Sequence, residues 1–231
     1  MEKIWLKSYP SGVPADIDID HIPSLVALFE KACKTFADKV AYISMGREIT
    51  YRQLDAEATE FAGWLQAKGM KKGDRVALMM PNILQYPVAL FGTLRAGCVV
   101  VNCNPLYTPR ELEHQLKDSG AAAIVIVENF AHTLQQVISH TAVKHVVVTS
   151  MGEKLGGLKG AIVNFVVRRV KKMVPAWHLP GAISFKTALA QGRKSGFKTV
   201  ALTQGDLAFL QYTGGTTGVS KGAMLTHANI A

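Results

Sequence analysis

Cysteine is scarce in this sequence of 231 residues, and so are long apolar runs. Cys33, Cys98 and Cys103 are too few and too scattered for a disulfide framework, and they lack the spacing of a zinc site. No tract of about 18 uninterrupted apolar residues is present, so we predict no membrane-spanning helix. The opening residues lack the apolar centre of a signal peptide. With 48% apolar and 19% charged residues, the composition is that of a globular protein, and we expect it to be cytoplasmic.

Acidic residues are nearly absent from one segment, residues 151–200, which holds ten Lys or Arg and only Glu153. The formal net charge of the whole chain is +9, and this segment accounts for all of it. The rest of the chain is neutral, and aromatic residues are not interleaved with the basic ones. A nucleic-acid-binding module is therefore the least favoured class. We predict a neutral globular protein that carries a basic amphipathic insert at 151–200.

Short apolar segments alternate with helical segments along most of the chain. Strands that are apolar on both faces are typical of a parallel sheet covered by helices on both sides. Thr50 with Gln53, and Thr108 with Pro109 and Glu111, have the spacing of helix N-terminal caps. We therefore predict an α/β fold with a layered, parallel-rich sheet and flanking helices. The apolar strands are predicted at Arg75–Met80, Cys98–Val101, Ala121–Val127 and His145–Thr149.

A glycine-rich loop follows the next predicted strand, Leu207–Tyr212, and residues 212–222 read YTGGTTGVSKG. Glycines let successive backbone N–H groups point into one concavity, and Lys221 adds a positive charge. The loop is not a Walker loop, because Lys221 is preceded by Ser220 and followed by Gly222. A plain surface turn is the alternative. The order of threonines, glycines and lysine favours a loop that binds the phosphates of a nucleoside triphosphate.

This loop resembles the phosphate-binding signature of the adenylate-forming superfamily, whose usual form is Tyr-Thr-Ser-Gly-Ser/Thr-Thr-Gly-x-Pro-Lys-Gly. The sequence departs from it at Gly214, which replaces Ser, and at Ser220, which replaces Pro. Other segments resemble the same superfamily, and the run at 104–116 is similar to its fatty-acid and aryl-acid branch. Over its whole length the chain resembles bacterial long-chain fatty acid–CoA ligases. The matching segments are ITYRQL at 49–54, KGDRVA at 72–77, LRAG at 94–97 and NPLYTPRELEHQL at 104–116.

The resemblance implies a reaction in which a fatty acid, ATP and coenzyme A give acyl-CoA, AMP and pyrophosphate through an acyl-adenylate. It implies Mg²⁺ as well, with Thr213 as a candidate contact. The superfamily's adenine-contacting segment, metal-binding glutamate, ribose-binding aspartate and late catalytic lysine have no counterpart before Ala231. We therefore expect residues 1–231 to be an incomplete N-terminal AMP-binding domain, without its C-terminal domain and inactive alone. The residues implied to hold the ATP phosphates are Thr213, Gly214, Gly215, Thr216, Thr217, Gly218, Lys221 and Gly222.

Residues 155–174 place apolar side chains on one arc of a helix and cations on the other side, a pattern typical of a helix at a membrane surface. The alternative is an ordinary surface helix packed on its own core. If the pattern marks a membrane surface, the protein lies peripherally on the inner membrane. The predicted apolar arc comprises Leu155, Ile162, Val163, Val166, Val167, Val170, Met173 and Val174. The predicted lipid-facing cations are Arg168, Arg169, Lys171 and Lys172.

Three readings of function remain open on the sequence. The first is part of a fatty acid–CoA ligase, the second is part of a ligase for an aryl or medium-chain acid, and the third is a remnant that binds only nucleotide or membrane. His227, just after the loop, is either near the nucleotide or a packing residue. A homodimer is one further expected assembly.

Overall fold

The computed structural model describes residues 2–16, 21–213 and 220–231 of the chain. Within them, eight α-helices and nine β-strands alternate along most of the chain. The helices are α1 (Leu25–Thr35), α2 (Tyr51–Ala67), α3 (Gln85–Arg95), α4 (Pro109–Ser119), α5 (Ala131–Val137), α6 (Gly157–Phe165), α7 (Phe185–Ser195) and α8 (His227–Ile230). The strands are β1 (Val40–Ser44), β2 (Arg47–Thr50), β3 (Arg75–Met79), β4 (Val99–Asn102), β5 (Ala123–Val127), β6 (His145–Thr149), β7 (Ile183–Ser184), β8 (Leu207–Thr213) and β9 (Lys221–Thr226).

The main sheet has seven strands in the order β7-β6-β5-β3-β4-β8-β9. All neighbouring pairs are parallel except β8 and β9, which form an antiparallel hairpin. Strands β1 and β2 form a separate antiparallel hairpin. Because six strands run in one direction, their carboxyl ends meet at one edge of the sheet, where ligands bind in open α/β sheets. The predicted α/β fold is confirmed.

The two faces of the sheet carry separate apolar cores. On one face, alternate strand residues such as Val76 and Val100 pack against α1, α2, α3 and α7. On the other, their neighbours Ala77 and Val101 pack against α4 and α5. Successive strand residues point to opposite faces, so strands with two covered faces are apolar throughout. This is why the predicted strands lie within two residues of the observed ones.

The predicted helix caps are present. In α4 the Thr108 hydroxyl accepts a hydrogen bond from the N–H of Glu111, and Glu111 Oε2 accepts one from the N–H of Thr108 at 2.8 Å. The helix closes at Gly120, whose φ of 60° lies in the left-handed region that favours glycine. Thr50 and Gln53 make the equivalent pair at α2. Helix α4 is therefore fixed at both ends.

The three cysteines are buried and free. Burial raises the pKa of Cys98 and Cys103 to about 12, and that of Cys33 to about 11. They behave as small apolar side chains, as the sequence predicts.

The segment expected to be a basic insert, 151–200, divides into two parts. Its second part belongs to the fold, because β7 pairs with β6 and α7 packs closely on α2. Its first part contains α6 and a π-helical turn, Val166–Val170, on the surface. Helix α6 continues directly into the π-helical turn, so the helical part covers 157–170 rather than 155–174. We refer to residues 157–174 as the basic surface segment.

Candidate functional site

The ends of the predicted phosphate loop lie on the β8–β9 hairpin, at the carboxyl edge of the sheet. Thr213 pairs with Lys221 and Tyr212 with Gly222 across this hairpin. The side chains of Thr213 and Lys221 are exposed, and Gly222 is half-buried. Gly214, Gly215, Thr216, Thr217 and Gly218 lie outside the described residues. The structure thus brings together Thr213, Lys221 and Gly222 at the base of the loop.

A chain of hydrogen bonds joins α3, β4 and β8 on the sheet face that carries α3. The hydroxyl of Tyr86 donates to Asn102 Oδ1 at 2.9 Å, and Asn102 Nδ2 donates to Gln211 Oε1 at 3.1 Å. Gln211 and Thr213 are two residues apart in β8, so their side chains lie on the same face of the sheet. The chain of hydrogen bonds therefore ends at Gln211, two residues before Thr213 in the same strand. Sequence reasoning missed it, because it joins three distant segments.

An apolar cavity of about 530 Å³ adjoins the same chain of hydrogen bonds. It shares Tyr86 with that chain and is otherwise lined mainly by apolar side chains. Those from α3 and β8 are Leu90, Phe91, Leu94 and Phe209.

On the opposite face, α4 contacts both ends of the loop. The Tyr212 hydroxyl donates to Asp118 Oδ2 at 2.5 Å, and His114 Nε2 lies 3.0 Å from the carbonyl oxygen of Ser220. A carbonyl oxygen only accepts hydrogen bonds, so Nε2 of His114 carries the proton and donates. Burial, and then the bond to Asp118, raise the pKa of the Tyr212 hydroxyl, which therefore stays protonated. Sequence reasoning missed these partners, although His114 and Asp118 have the i, i+4 spacing of one helix face.

Gly222 fits closely against the Tyr212 ring. A β-carbon placed on Gly222 would lie 3.0 Å from Cε2 and Cζ of that ring, closer than ordinary van der Waals contact. Packing against the Tyr212 ring therefore favours glycine at position 222, whether or not the loop binds phosphate.

His227 does not point into the loop region. Its Nδ1 accepts a hydrogen bond from the N–H of Leu25 at 3.2 Å, and the residue is 1% exposed. Burial lowers its pKa, which keeps the imidazole neutral. Of the two readings left open by the sequence, the structure supports the packing residue.

The basic surface segment differs from its predicted pattern. Arg168 is held by Glu128 through three hydrogen bonds of 2.8 to 3.0 Å, and the Glu128 side chain is only 7% exposed. Arg168, although itself exposed, therefore balances a buried carboxylate, whereas the exposed Arg169, Lys171 and Lys172 are in no such pair among the described ion pairs. Of the predicted apolar arc, Leu155 is buried, Val163, Val166, Val167 and Val174 are half-buried, and Ile162, Val170 and Met173 are exposed.

The exposed apolar side chains of α6 form a different stripe. Leu158, Ile162 and Phe165 follow one another at helical spacing and are 77%, 52% and 61% exposed. Two of the three, Leu158 and Phe165, are absent from the predicted arc.

Among the described residues, no group of three His, Cys, Asp or Glu side chains is placed to hold a metal ion. Thr213 alone offers one neutral oxygen, so these residues do not fit a protein-held Mg²⁺. Across those ranges, no helix combines the length and apolarity needed to cross a bilayer.

Comparison with known families gives the class of enzyme. Residues 29–231 match the family of AMP-binding enzymes, so the chain belongs to this family. It is 60% identical over all 231 residues to a long-chain-fatty-acid–CoA ligase of Salmonella typhimurium, and 54% identical to one of Haemophilus influenzae. A long-chain-fatty-acid–CoA ligase structure from Archaeoglobus fulgidus superposes with a TM-score of 0.70 and 25% identity, over 95% of this chain and 39% of that one.

The chain spans 41% of the length of these two curated relatives, while all of it is matched. The family membership and the α/β fold predicted from the sequence are thus confirmed, and the match lies in the N-terminal part of such an enzyme.

Proposed function

We propose that this chain carries the triphosphate-binding part of a long-chain fatty acid–CoA ligase. The observation that carries the proposal is the 54–60% identity, over all 231 residues, to proteins with that name. The β8–β9 hairpin supports it, because its exposed Thr213 and Lys221 stand at the edge of the sheet where α/β proteins bind ligands.

The proposed reaction has two steps. An oxygen of the fatty carboxylate attacks the α-phosphorus of ATP, and the bond to the bridging oxygen breaks to release pyrophosphate. The thiolate of coenzyme A then attacks the acyl carbon of the acyl-adenylate, and AMP leaves. Both steps place negative charge on phosphate oxygens, so preorganised donors accelerate them.

The loop would bind the phosphate groups that leave. Lys221 is exposed at its base and would contribute one positive charge to the β- and γ-phosphates. The hydroxyl of Thr213, with Gly214, Gly215, Thr216, Thr217, Gly218 and Gly222, would add hydroxyl and backbone donors. Mg²⁺ prefers oxygen ligands, usually including substrate phosphates, and would arrive with the nucleotide rather than in a site built by the described residues.

A fatty acid is favoured over an aryl acid by the 54–60% identity to proteins named long-chain-fatty-acid–CoA ligase. The apolar cavity of about 530 Å³ beside Tyr86 is a candidate place for the apolar part of the acid. Ligand pockets of this size are lined mainly by apolar side chains with a few polar groups at one end. The Tyr86–Asn102–Gln211 chain supplies polar groups on the side that leads to Thr213.

Calorimetry of ATP binding by the complete enzyme tests the phosphate role. We expect Lys221→Ala combined with Thr216→Ala and Thr217→Ala to weaken ATP binding at least tenfold, since hydrogen bonds to charged groups contribute about 1.5–3 kcal/mol each. Lys194→Ala, at an exposed lysine on α7, is the matched control and should leave binding unchanged. Undiminished binding by the triple variant would end the phosphate assignment.

Turnover gives a separate test of completeness. The 231-residue chain should form no coenzyme A thioester from palmitate, ATP and coenzyme A. Thioester formation above a protein-free control would show that the chain is sufficient for catalysis and that the expected inactivity is wrong.

We also propose that α6 contacts an anionic membrane surface. Leu158, Ile162 and Phe165 are exposed on one face, and Arg169, Lys171 and Lys172 are exposed at the end of the same segment. Each cation near an anionic leaflet contributes about 1 kcal/mol, and burial of each apolar side chain about 1.5–3 kcal/mol. Neither group is sufficient alone, but together they favour peripheral binding.

Vesicle flotation tests this contact. The chain should float with vesicles that contain anionic lipid, and less with neutral vesicles. Leu158→Ser with Phe165→Ser should abolish flotation, whereas Ile43→Ser, at an apolar residue 64% exposed elsewhere, should not. Equal flotation with both lipids, or none, would count against the proposal. A homodimer stays a prediction, which light scattering tests.

A further inference from the structure

Helix α4 connects the two arms of the β8–β9 hairpin through side chains. Asp118 binds Tyr212, the last residue but one before the predicted loop residues Gly214–Gly218, and His114 binds Ser220, just after them. The two side chains are one helical turn apart and share a face. Between them, the two bonds bracket residues 213–219.

The platform that carries these bonds is itself fixed. Helix α4 is capped at both ends, and Leu112 and Leu116 are fully buried in the core beneath it. Gln115, between His114 and Leu116, donates to the carbonyl oxygen of Asn102 at 2.7 Å, which ties α4 to β4. A group that must be held precisely is best placed on a rigid element with supporting hydrogen bonds.

The Tyr212 ring is held on two sides. Its hydroxyl is bound by Asp118, and Gly222 approaches so closely that a β-carbon there would displace the ring. Tyr212 and Gly222 are also paired across the hairpin. A change at Asp118 therefore reaches the backbone on both sides of the loop.

We infer that His114 and Asp118 are positioning residues for triphosphate binding, because they fix both ends of the loop that Lys221 closes. The inference rests on the proposed function, and neither residue needs to touch the nucleotide. Backbone donors contribute to phosphate binding only when they are preorganised, so loosening either end lowers affinity without removing a phosphate contact.

ATP calorimetry and amide hydrogen exchange of the complete ligase to which we assign this chain test the inference together. His114→Ala and Asp118→Ala should each weaken ATP binding about three- to tenfold, the range of one lost hydrogen bond. His114→Gln and Asp118→Asn, which keep a donor and an acceptor, should recover most of the affinity. Tyr212→Phe and Asp118→Ala should not be additive, because both remove the same bond.

Leu134→Ala, in α5 of the same core, is the stability control. It should lower the melting temperature at least as much as the α4 variants, with unchanged ATP affinity. In the absence of nucleotide, exchange of amides in 211–223 should accelerate in His114→Ala and Asp118→Ala but not in Leu134→Ala.

Unchanged exchange in 211–223 in the α4 variants would overturn the inference, whatever the result with ATP. So would equal loss of affinity in Leu134→Ala. Accelerated exchange with no ATP binding by the unsubstituted complete ligase would instead locate the failure in the proposed phosphate role, and the positioning of the hairpin would stand.

Discussion

Arg95 is a charged side chain that is only 4% exposed and has partners on two neighbouring helices. Its Nη2 donates to Asp55 Oδ1 at 2.7 Å, and its Nη1 donates to Thr59 Oγ1 at 2.6 Å and to the Asp55 carbonyl oxygen at 3.1 Å. Its guanidinium also lies 5.1 Å from the centre of the Phe29 ring. One residue of α3 thus joins α1 and α2 through a planar group that lysine cannot reproduce.

Arg95→Lys should therefore lower the free energy of unfolding by about 1–3 kcal/mol, although the charge is kept. Lysine cannot form the paired guanidinium hydrogen bonds to Asp55 and Thr59. The Asp55 side chain is 45% exposed, however, so water can solvate it. This makes the loss smaller than for a fully buried ion pair. Urea unfolding measures it, with Arg52→Lys at an exposed pair with Asp38 as the control. Equal midpoints for Arg95→Lys and the unsubstituted chain would contradict the argument.

At the scale of elements, α2 and α7 pack closely through glycines. A β-carbon on Gly192 would lie 1.8 Å from the carbonyl oxygen of Glu60 and 2.7 Å from the backbone nitrogen of Trp64. A β-carbon on Gly63 would lie 2.5 Å from the carbonyl oxygen of Gly196. These neighbours are backbone atoms, which no rotamer change can remove. The helices must separate if either glycine gains a side chain.

Gly192→Ala should cost about 3 kcal/mol or more, at the upper end of overpacking effects. Gly205→Ala is the control, because no atom lies within 4 Å of its β-carbon, and it should change stability by no more than about 0.5 kcal/mol. Thermal unfolding of the two variants measures the difference. Similar melting temperatures would mean that α7 is not held as closely to α2 as described.

Local signals explain which elements the sequence predicts. Helix α4 was predictable because Thr108, Pro109 and Glu111 mark its start within four residues. Strand β7 has two residues, Ile183–Ser184, and no periodicity. It pairs with β6 while α7, the helix that follows it, packs on α2, and this contact lies over 100 residues away in sequence. Residues 151–200 were therefore predicted to be an insert from their charge, although β7 and α7 belong to the fold.

The candidate site was also predictable only in part. Thr213, Lys221 and Gly222 were predictable as a motif, because glycines, hydroxyls and a cation recur in a short run. Their supports, His114, Asp118 and Asn102, lie on α4 and β4, and only the sheet order brings them beside β8. Nor could the motif reveal that Gly222 packs against Tyr212, since that contact requires the hairpin register.

At the scale of the whole molecule, a hydrogen bond joins α8 to α1. His227 in α8 accepts a hydrogen bond from Leu25 at the start of α1, across 202 residues of sequence. The same turn is tied to the residue that precedes β8, because the N–H of His227 donates to the Asp206 carbonyl oxygen at 3.0 Å. Burial lowers the pKa of His227 below its ordinary value of 6.5, and Lys72 adds to this, although Asp206 opposes it.

Stability should therefore depend on pH through this residue. Since the folded pKa is the lower one, the unfolded chain binds the proton more readily. The stabilisation is complete above pH 6.5 and falls as the pH drops below it, by at most about 1.4 kcal/mol per pH unit. His145, whose pKa is also lowered, contributes in the same direction.

His227→Asn isolates the contribution, because the asparagine oxygen can accept the Leu25 hydrogen bond but does not titrate. Urea midpoints measured from pH 7.5 to 5.5 should fall less steeply for His227→Asn than for the unsubstituted chain, with the two curves converging toward low pH. His145→Asn gives the matched comparison for a half-buried histidine outside this link. Parallel curves for His227→Asn and the unsubstituted chain would mean that the imidazole can take up a proton without breaking the link to α1. The coupling of the two chain ends would then not depend on pH.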